Sequence, residues 1–339
     1  MTPERLNALL GAFPRLTIGL VGDLFLDRYL HLARGVHELS IETGEEAYQI
    51  DRVRNSPGAL GTVMNNLAAL GVGLLVPVTV IGDDGHGYDL LREVGRLPVD
   101  KSNILCYTDR LTPTYTKPMR PQADGSWREL NRLDVRTRGP LSEVATADVC
   151  QRVRDVFRSS DGLIVLDQIN ESNWGVVNAA VRETIEQLGR ENPHKLIFVD
   201  SRAHLERFTS CTLKGNRNEL TRAAQELKLT GEALADLALE LAKRNQRNVY
   251  VTQGESGIFV ARPSGSTAIA HGIPVAGPID IVGAGDSATG GIVTSLLAGA
   301  TDEEAALVGN LVASITIEQL GTTGTASPQQ VRERLAKIV

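Results

Sequence analysis

Short apolar runs bounded by Gly or Asp alternate along this chain with stretches of helical periodicity, and that alternation restricts its fold more than any other feature. Leu16 to Gly22, Leu74 to Ile81, Gly162 to Leu166, Leu196 to Asp200 and Val249 to Thr252 read as buried strands. Val144 to Phe157, Trp174 to Leu188 and Gly231 to Ala242 read as helices between them. Buried strands joined through helices predict an α/β fold, a doubly wound sheet with helices on both faces and ligands at the carboxyl ends of the strands. Two stretches break the rhythm. Asp27 to Val53 and Asn103 to Val135 carry β-like segments with polar turns and no adjacent helix, so their strand edges need a partner. With 339 residues, 42% of them hydrophobic, the chain can bury a large core, and no repeat or flexible linker divides it.

The run Asp280-Ile281-Val282-Gly283-Ala284-Gly285-Asp286 leads directly into the helix-like Ser287 to Leu297. Small residues let the backbone turn tightly and aim bare N–H groups at one point, and the following helix adds the positive end of its dipole. The result is a seat for a phosphate. A carboxylate at its rim, Asp286, can take a proton from an alcohol while the amides of Gly283, Ala284 and Gly285 hold the charge on a migrating phosphoryl group. A glycine turn that only lets a helix pack closely has the same local sequence.

Charge and composition exclude several classes. A net charge of −6 and a pI near 5.6 argue against a nucleic-acid-binding surface, and no window is densely basic. No apolar stretch reaches membrane-spanning length, and the first residues lack the layout of a signal peptide. Cys106, Cys150 and Cys211 share no metal-ligand spacing and read as reduced thiols of a cytoplasmic protein.

Four elements in order resemble the signatures of the PfkB/ribokinase family of sugar kinases. Gly283-Ala284-Gly285-Asp286 with Asp280 resembles its C-terminal signature, and Pro57 to Gly71 its first, a glycine turn leading into a sugar-contacting helix. Asn216-Arg217-Asn218-Glu219 matches its Asn-x-x-Glu element, and Thr252 to Gly257 its Thr-x-Gly-x-x-Gly nucleotide loop. The resemblance spans nearly the whole chain and implies one kinase domain over residues 1–339. It also implies a β-sheet lid from two insertions, about 28–55 and 103–135, through which homodimers form. ATP and Mg²⁺ are the implied cofactors, a monovalent cation is left open, and the partner is a small sugar or sugar phosphate, with no nucleic acid and no membrane.

Residue by residue, the resemblance makes Asp286 the base and puts Asp27, Gly58 and Asn66 at the acceptor. It puts Asn216, Glu219, Thr252, Gly254, Gly257 and Asn310 at the nucleotide, with Glu219 meeting the metal through water. Asn followed three residues later by Glu is also a capping-box pattern, and the two roles can coexist. Within the family the kinases of heptose 7-phosphate are most similar, through Val21 to Tyr29, Pro113 to Lys117, Arg132 to Asp134 and Leu320 to Thr325. Lys117, Arg120 and Arg132 would then be cations for an acceptor phosphate, or else solvated residues paired with Glu129 and Asp134. The chain departs from the pattern at Ala59, Thr62 and Ile281, and it has Asp167-Gln168-Ile169-Asn170 and Asp200-Ser201-Arg202 where the heptose kinases carry lysines. These departures leave two alternatives open: another PfkB-type sugar or nucleoside kinase, or a catalytically weak kinase-like binding protein.

Overall fold

The computed structural model describes residues 1–338. In chain order the elements are α1 (Pro3–Ala12), β1 (Thr17–Gly22), β2 (Leu24–Leu32), β3 (Ile50–Ala59), α2 (Leu60–Ala69), β4 (Leu74–Gly82), α3 (Gly85–Val94), β5 (Ile104–Tyr107) and β6 (Thr114–Pro121). They continue with β7 (Trp127–Glu129), β8 (Leu133–Val135), α4 (Glu143–Ser159), β9 (Gly162–Asp167), α5 (Ala179–Glu191), β10 (Leu196–Ser201), β11 (Thr212–Asn216), α6 (Arg217–Glu226) and α7 (Leu234–Asn245). The last elements are β12 (Val249–Thr252), β13 (Ile258–Ala261), β14 (Thr267–Ala270), α8 (Ala284–Leu297), α9 (Asp302–Thr316) and α10 (Pro328–Ala336).

Nine strands form the main sheet in the order β14-β13-β12-β11-β10-β9-β1-β4-β5. Its body is parallel, and β13 and β14 add an antiparallel edge. Two apolar cores cover its faces: Ile164, Phe198 and Tyr250 pack with Ile292, Val308 and Leu311 of α8 and α9, while Val165, Val199 and Val251 pack with Val153, Ile185 and Leu241 of α4, α5 and α7. Strands buried on both faces explain the near-continuous apolar runs in the sequence.

The second, five-stranded sheet runs β3-β2-β6-β7, with β8 also paired to β6. Only Asp23 separates β1 in the large sheet from β2 in the small one. Part of the 103–135 segment belongs elsewhere, because Ile104–Tyr107 pairs in parallel with β4 at the edge of the main sheet. The helix read from Trp174 begins only at Ala179, where the Asn178 side chain caps the amide of Val181. Sequence reading missed β11, which inserts between β10 and β12 and delivers Asn216 to its carboxyl end.

Candidate active site

The carboxyl end of β11 and the first turn of α8 meet at the glycine run. Gly283 is the N-cap of α8 with φ +83°, a left-handed conformation that glycine adopts without steric cost. The Ala284 amide donates to the carbonyl of Ile281 at 3.1 Å, and the Val282 amide to Asp280 Oδ1 at 3.1 Å. The expected set of anion-holding amides is therefore corrected. Ala284 is occupied, and the amides without a protein acceptor among the described residues are those of Gly283, Gly285 and Asp286. Asp280 also accepts the amide of Gly321 at 3.1 Å, which ties the turn to the loop after α9.

Asp286 stands in that first turn, and its carboxyl is pushed up to about 7. Loss of solvation is the main cause and the negative charge of Asp200 the second, offset by Lys214 and Arg202. Lys214 is buried, 4% exposed, with its ammonium 2.5 Å from Asp200 Oδ2, which also accepts from the Thr289 hydroxyl at 3.1 Å. A side chain on Gly285 would come within 3.1 Å of that ammonium, so the glycine leaves Lys214 its place. Sequence reading missed Lys214. The usable signal was a lysine inside an apolar run, but its partner Asp200 is its register neighbour on β10, and that pairing is invisible without the topology.

Asn216 caps α6: its Oδ1 accepts the amides of Asn218 and Glu219 at 2.9 and 3.0 Å, while Glu219 Oε2 accepts the Asn216 amide at 2.7 Å. Burial, with the charge of Asp200, raises the Glu219 carboxyl above its ordinary value. The capping box is thus present, and Glu219 lies in the electrostatic field of the Asp286 cluster.

Asp27 lies on β2, with Oδ1 2.9 Å from the Lys117 ammonium. A side chain at Gly58 would run into Asp27 Oδ2, so the residue type at 58 is fixed by this carboxylate. Burial alone would lower the Lys117 ammonium; Asp27 outweighs it, and the net shift is upward. Tyr29 is flanked by the Arg54 guanidinium, 3.8 Å from its ring centre, and by Lys117 at 4.8 Å. The next residue, Ala59, takes φ +52° and ψ −112° and caps α2, a conformation costly for any residue but glycine. From there α2 carries Thr62, whose methyl would lie 3.5 Å from a side chain placed on Gly283, so the first glycine turn and the last one meet.

Several of the expected contact residues have partners within the chain. Asn66 is 0% exposed, its side-chain amide donating to the Thr62 carbonyl at 2.9 Å while its Oδ1 has no partner among the described residues. Arg132 pairs with Asp134 at 2.6 Å and stacks on Tyr115, and Arg120 pairs with Glu46 at 2.8 Å. Of the Thr252 to Gly257 loop, Gly254 faces open space, whereas Gly257 is needed because a side chain there would strike the backbone of Ala270 to Gly272. Asn310 commits its amide group to the carbonyls of Ala270 and His271 at 2.8 and 3.0 Å. It therefore holds α9 against the strand edge.

A glycine turn with unpartnered amides at a helix N-terminus, an elevated carboxyl in that helix's first turn and a second carboxylate on a small second sheet characterise this α/β protein. Residues 134–330 match the model of the pfkB family carbohydrate kinases, and the chain belongs to that family. It is 28% identical over 320 residues to the bifunctional protein HldE of Pelobacter propionicus, covering 94% of this chain and 62% of that protein. To the bifunctional protein HldE of Caulobacter it is 30% identical over 327 residues, covering 94% of this chain and 63% of the relative. The chain thus spans less than two thirds of the length of these relatives. Among solved structures, phosphofructokinase-2 of Escherichia coli in complex with potassium superposes with TM-score 0.69 at 19% identity, covering 95% of this chain and 99% of the other. A ribokinase of Arabidopsis thaliana complexed with ribose and ATP gives 0.66 at 17%, covering 94% and 98%. The fold is ribokinase-like.

Proposed function

We propose that this chain transfers the γ-phosphoryl group of ATP to a hydroxyl of a sugar or sugar phosphate. The observation that carries the reading is Asp286, an elevated carboxyl in the first turn of a helix whose Gly283, Gly285 and Asp286 amides are free to receive an anion. In this reading the Asp286 carboxylate accepts the hydroxyl proton, and the free amides stabilise the charge on the migrating group. Asp27, held by Lys117, orients the acceptor through hydroxyl donors, and Gly58 keeps its second oxygen clear. The small sheet serves as the lid over that acceptor and excludes water.

Among the described residues no three His, Cys, Asp or Glu side chains converge as a metal cage. Mg²⁺ needs few direct protein ligands, and the oxygen donors here suit a hard cation met through water at Glu219 and Asn216. When bound it would neutralise the nucleotide's phosphate oxygens. Lys117, Arg120 and Arg132 each already have a carboxylate partner, which weakens the case for an acceptor phosphate and leaves the heptose 7-phosphate reading resting on sequence resemblance. We further infer a homodimer through the lid, supported by the exposed Leu39, Ile41, Tyr48 and Val53 around its edge. A cytoplasmic location is supported by three unpaired thiols, and no described helix is long and apolar enough to cross a membrane. Measuring ATP consumption over matched sugars and sugar phosphates tests the whole reading. Turnover with at least one acceptor is expected, and ATP binding without turnover on any of them would leave a kinase-like binding protein.

A further inference from the structure

Between the outer edge of β3 and helix α3 lies a cavity of about 600 Å³ lined by five arginines, Arg28, Arg52, Arg54, Arg92 and Arg96. Its two carboxylates are already engaged: Asp89 pairs with Arg28, and Glu93 with Arg96 at 2.5 Å. Arg52, Arg54 and Arg92 have no carboxylate partner among the described residues. Arg52 lies 3.2 Å from His31 Nε2, and Arg54 stacks on Tyr29. His31 is pushed below its ordinary value by burial and by Arg52 and Arg54, as expected of a base in a positive field. Since β3 ends the small sheet, alternate backbone N–H groups on its outer edge also lack a strand to donate to. In a chain of net charge −6 this concentration of positive charge runs against the average.

We propose that this cavity is a binding site for a small diphosphate-bearing anion, separate from the phosphoryl-transfer site. Three guanidiniums without a carboxylate partner match the roughly three negative charges of a diphosphate at neutral pH, and their forked donors suit phosphate oxygens in bidentate pairs. The volume falls in the range that takes a small ligand. Free pyrophosphate and the diphosphate of a nucleotide present the same chemistry here.

Calorimetric titration of inorganic pyrophosphate into the full chain carrying Gly283→Asp, whose added carboxylate closes the anion seat at the start of α8 without introducing a nucleotide, isolates the cavity. One equivalent should bind, more weakly as salt rises, and at least about tenfold more weakly in the Arg52→Gln/Arg92→Gln variant. Both side chains are at the surface, so the variant should fold, and unchanged far-ultraviolet dichroism checks that it does. A parallel titration with ADP separates the sources: tighter binding than pyrophosphate assigns a nucleotide, equal binding the free diphosphate. Absence of binding to the Gly283→Asp chain, unchanged affinity once Arg52→Gln/Arg92→Gln is added, or equally tight binding of inorganic phosphate overturns the proposal.

Discussion

Replacing Asp286 by asparagine would remove the proton acceptor of the proposed transfer and leave the glycine turn and its free amides in place. Turnover should fall by about a thousandfold with nucleotide affinity little changed, as steady-state kinetics and equilibrium binding would show. The same carboxyl sets a pH dependence. Because it is raised to about 7 and acts only when ionised, kcat/KM should climb with pH through that value in the free enzyme. A rate flat between about pH 5.5 and 8 would remove Asp286 as the base. Ala59 carries a second residue-scale expectation. Its φ of +52° with ψ of −112° strains a methyl-bearing residue, so Ala59→Gly should raise the stability measured by urea unfolding by about 1 kcal/mol, relieved strain exceeding the added chain entropy. Ala59 stands where the family has its second glycine, and its backbone has kept the glycine conformation.

At the scale of elements, the small sheet is the least self-sufficient piece. The segment from Val36 to Val53 exposes several large apolar side chains, and Ile41 is fully exposed. Light scattering should therefore report a dimer, and Ile41→Asp should shift it toward monomer at the same concentration while leaving the fold unchanged. A monomer in the parent chain at every concentration would rule out association through this sheet. The sequence revealed these elements unevenly. Central strands such as Val249–Thr252 announced themselves because burial on both faces demands unbroken apolar runs. Thr212–Asn216 did not, because Lys214 and Gly215 interrupt the run, and a buried lysine is tolerable only once Asp200 on the adjacent strand is in register. Glycines told little by themselves. Gly283 and Gly257 look alike in sequence, yet one caps α8 in a left-handed conformation and the other avoids a backbone clash. Asn66 and Asn310 were legible as polar residues on small-residue helices, but whether such a side chain faces a ligand or a carbonyl depends on packing that sequence does not encode locally.

Across the whole molecule, the carboxyls of Asp23, Asp167 and Asp286 depart furthest upward: Asp23 to about 6, and Asp167 and Asp286 to about 7. Desolvation leads in each, and Asp23 adds to the shift at Asp167. A carboxyl raised on folding binds its proton more tightly in the native state, so its contribution is full below the unfolded value near 4 and is lost as pH rises to about 7. His31 and His204 are pushed down and oppose this trend on the acid side. The difference between variants isolates the effect: Asp167→Asn should flatten the fall in melting temperature between about pH 4 and 7 relative to the parent chain. An unchanged slope would count against a buried, protonated Asp167.

The position of β1 bears on how such a chain is made. Ile18 pairs on one side with Leu75 and on the other with Gly162, so this interior strand of the large sheet is closed by a segment translated much later. Until β9 leaves the ribosome, β1 keeps an open edge of free N–H and carbonyl groups next to the apolar faces of Ile18 and Leu20. The nascent N-terminal half is therefore a sticky intermediate whose lifetime is set by translation speed. A pause before β9 has emerged would prolong the state most prone to aggregate, whereas one after its emergence would leave β1 able to pair on both sides.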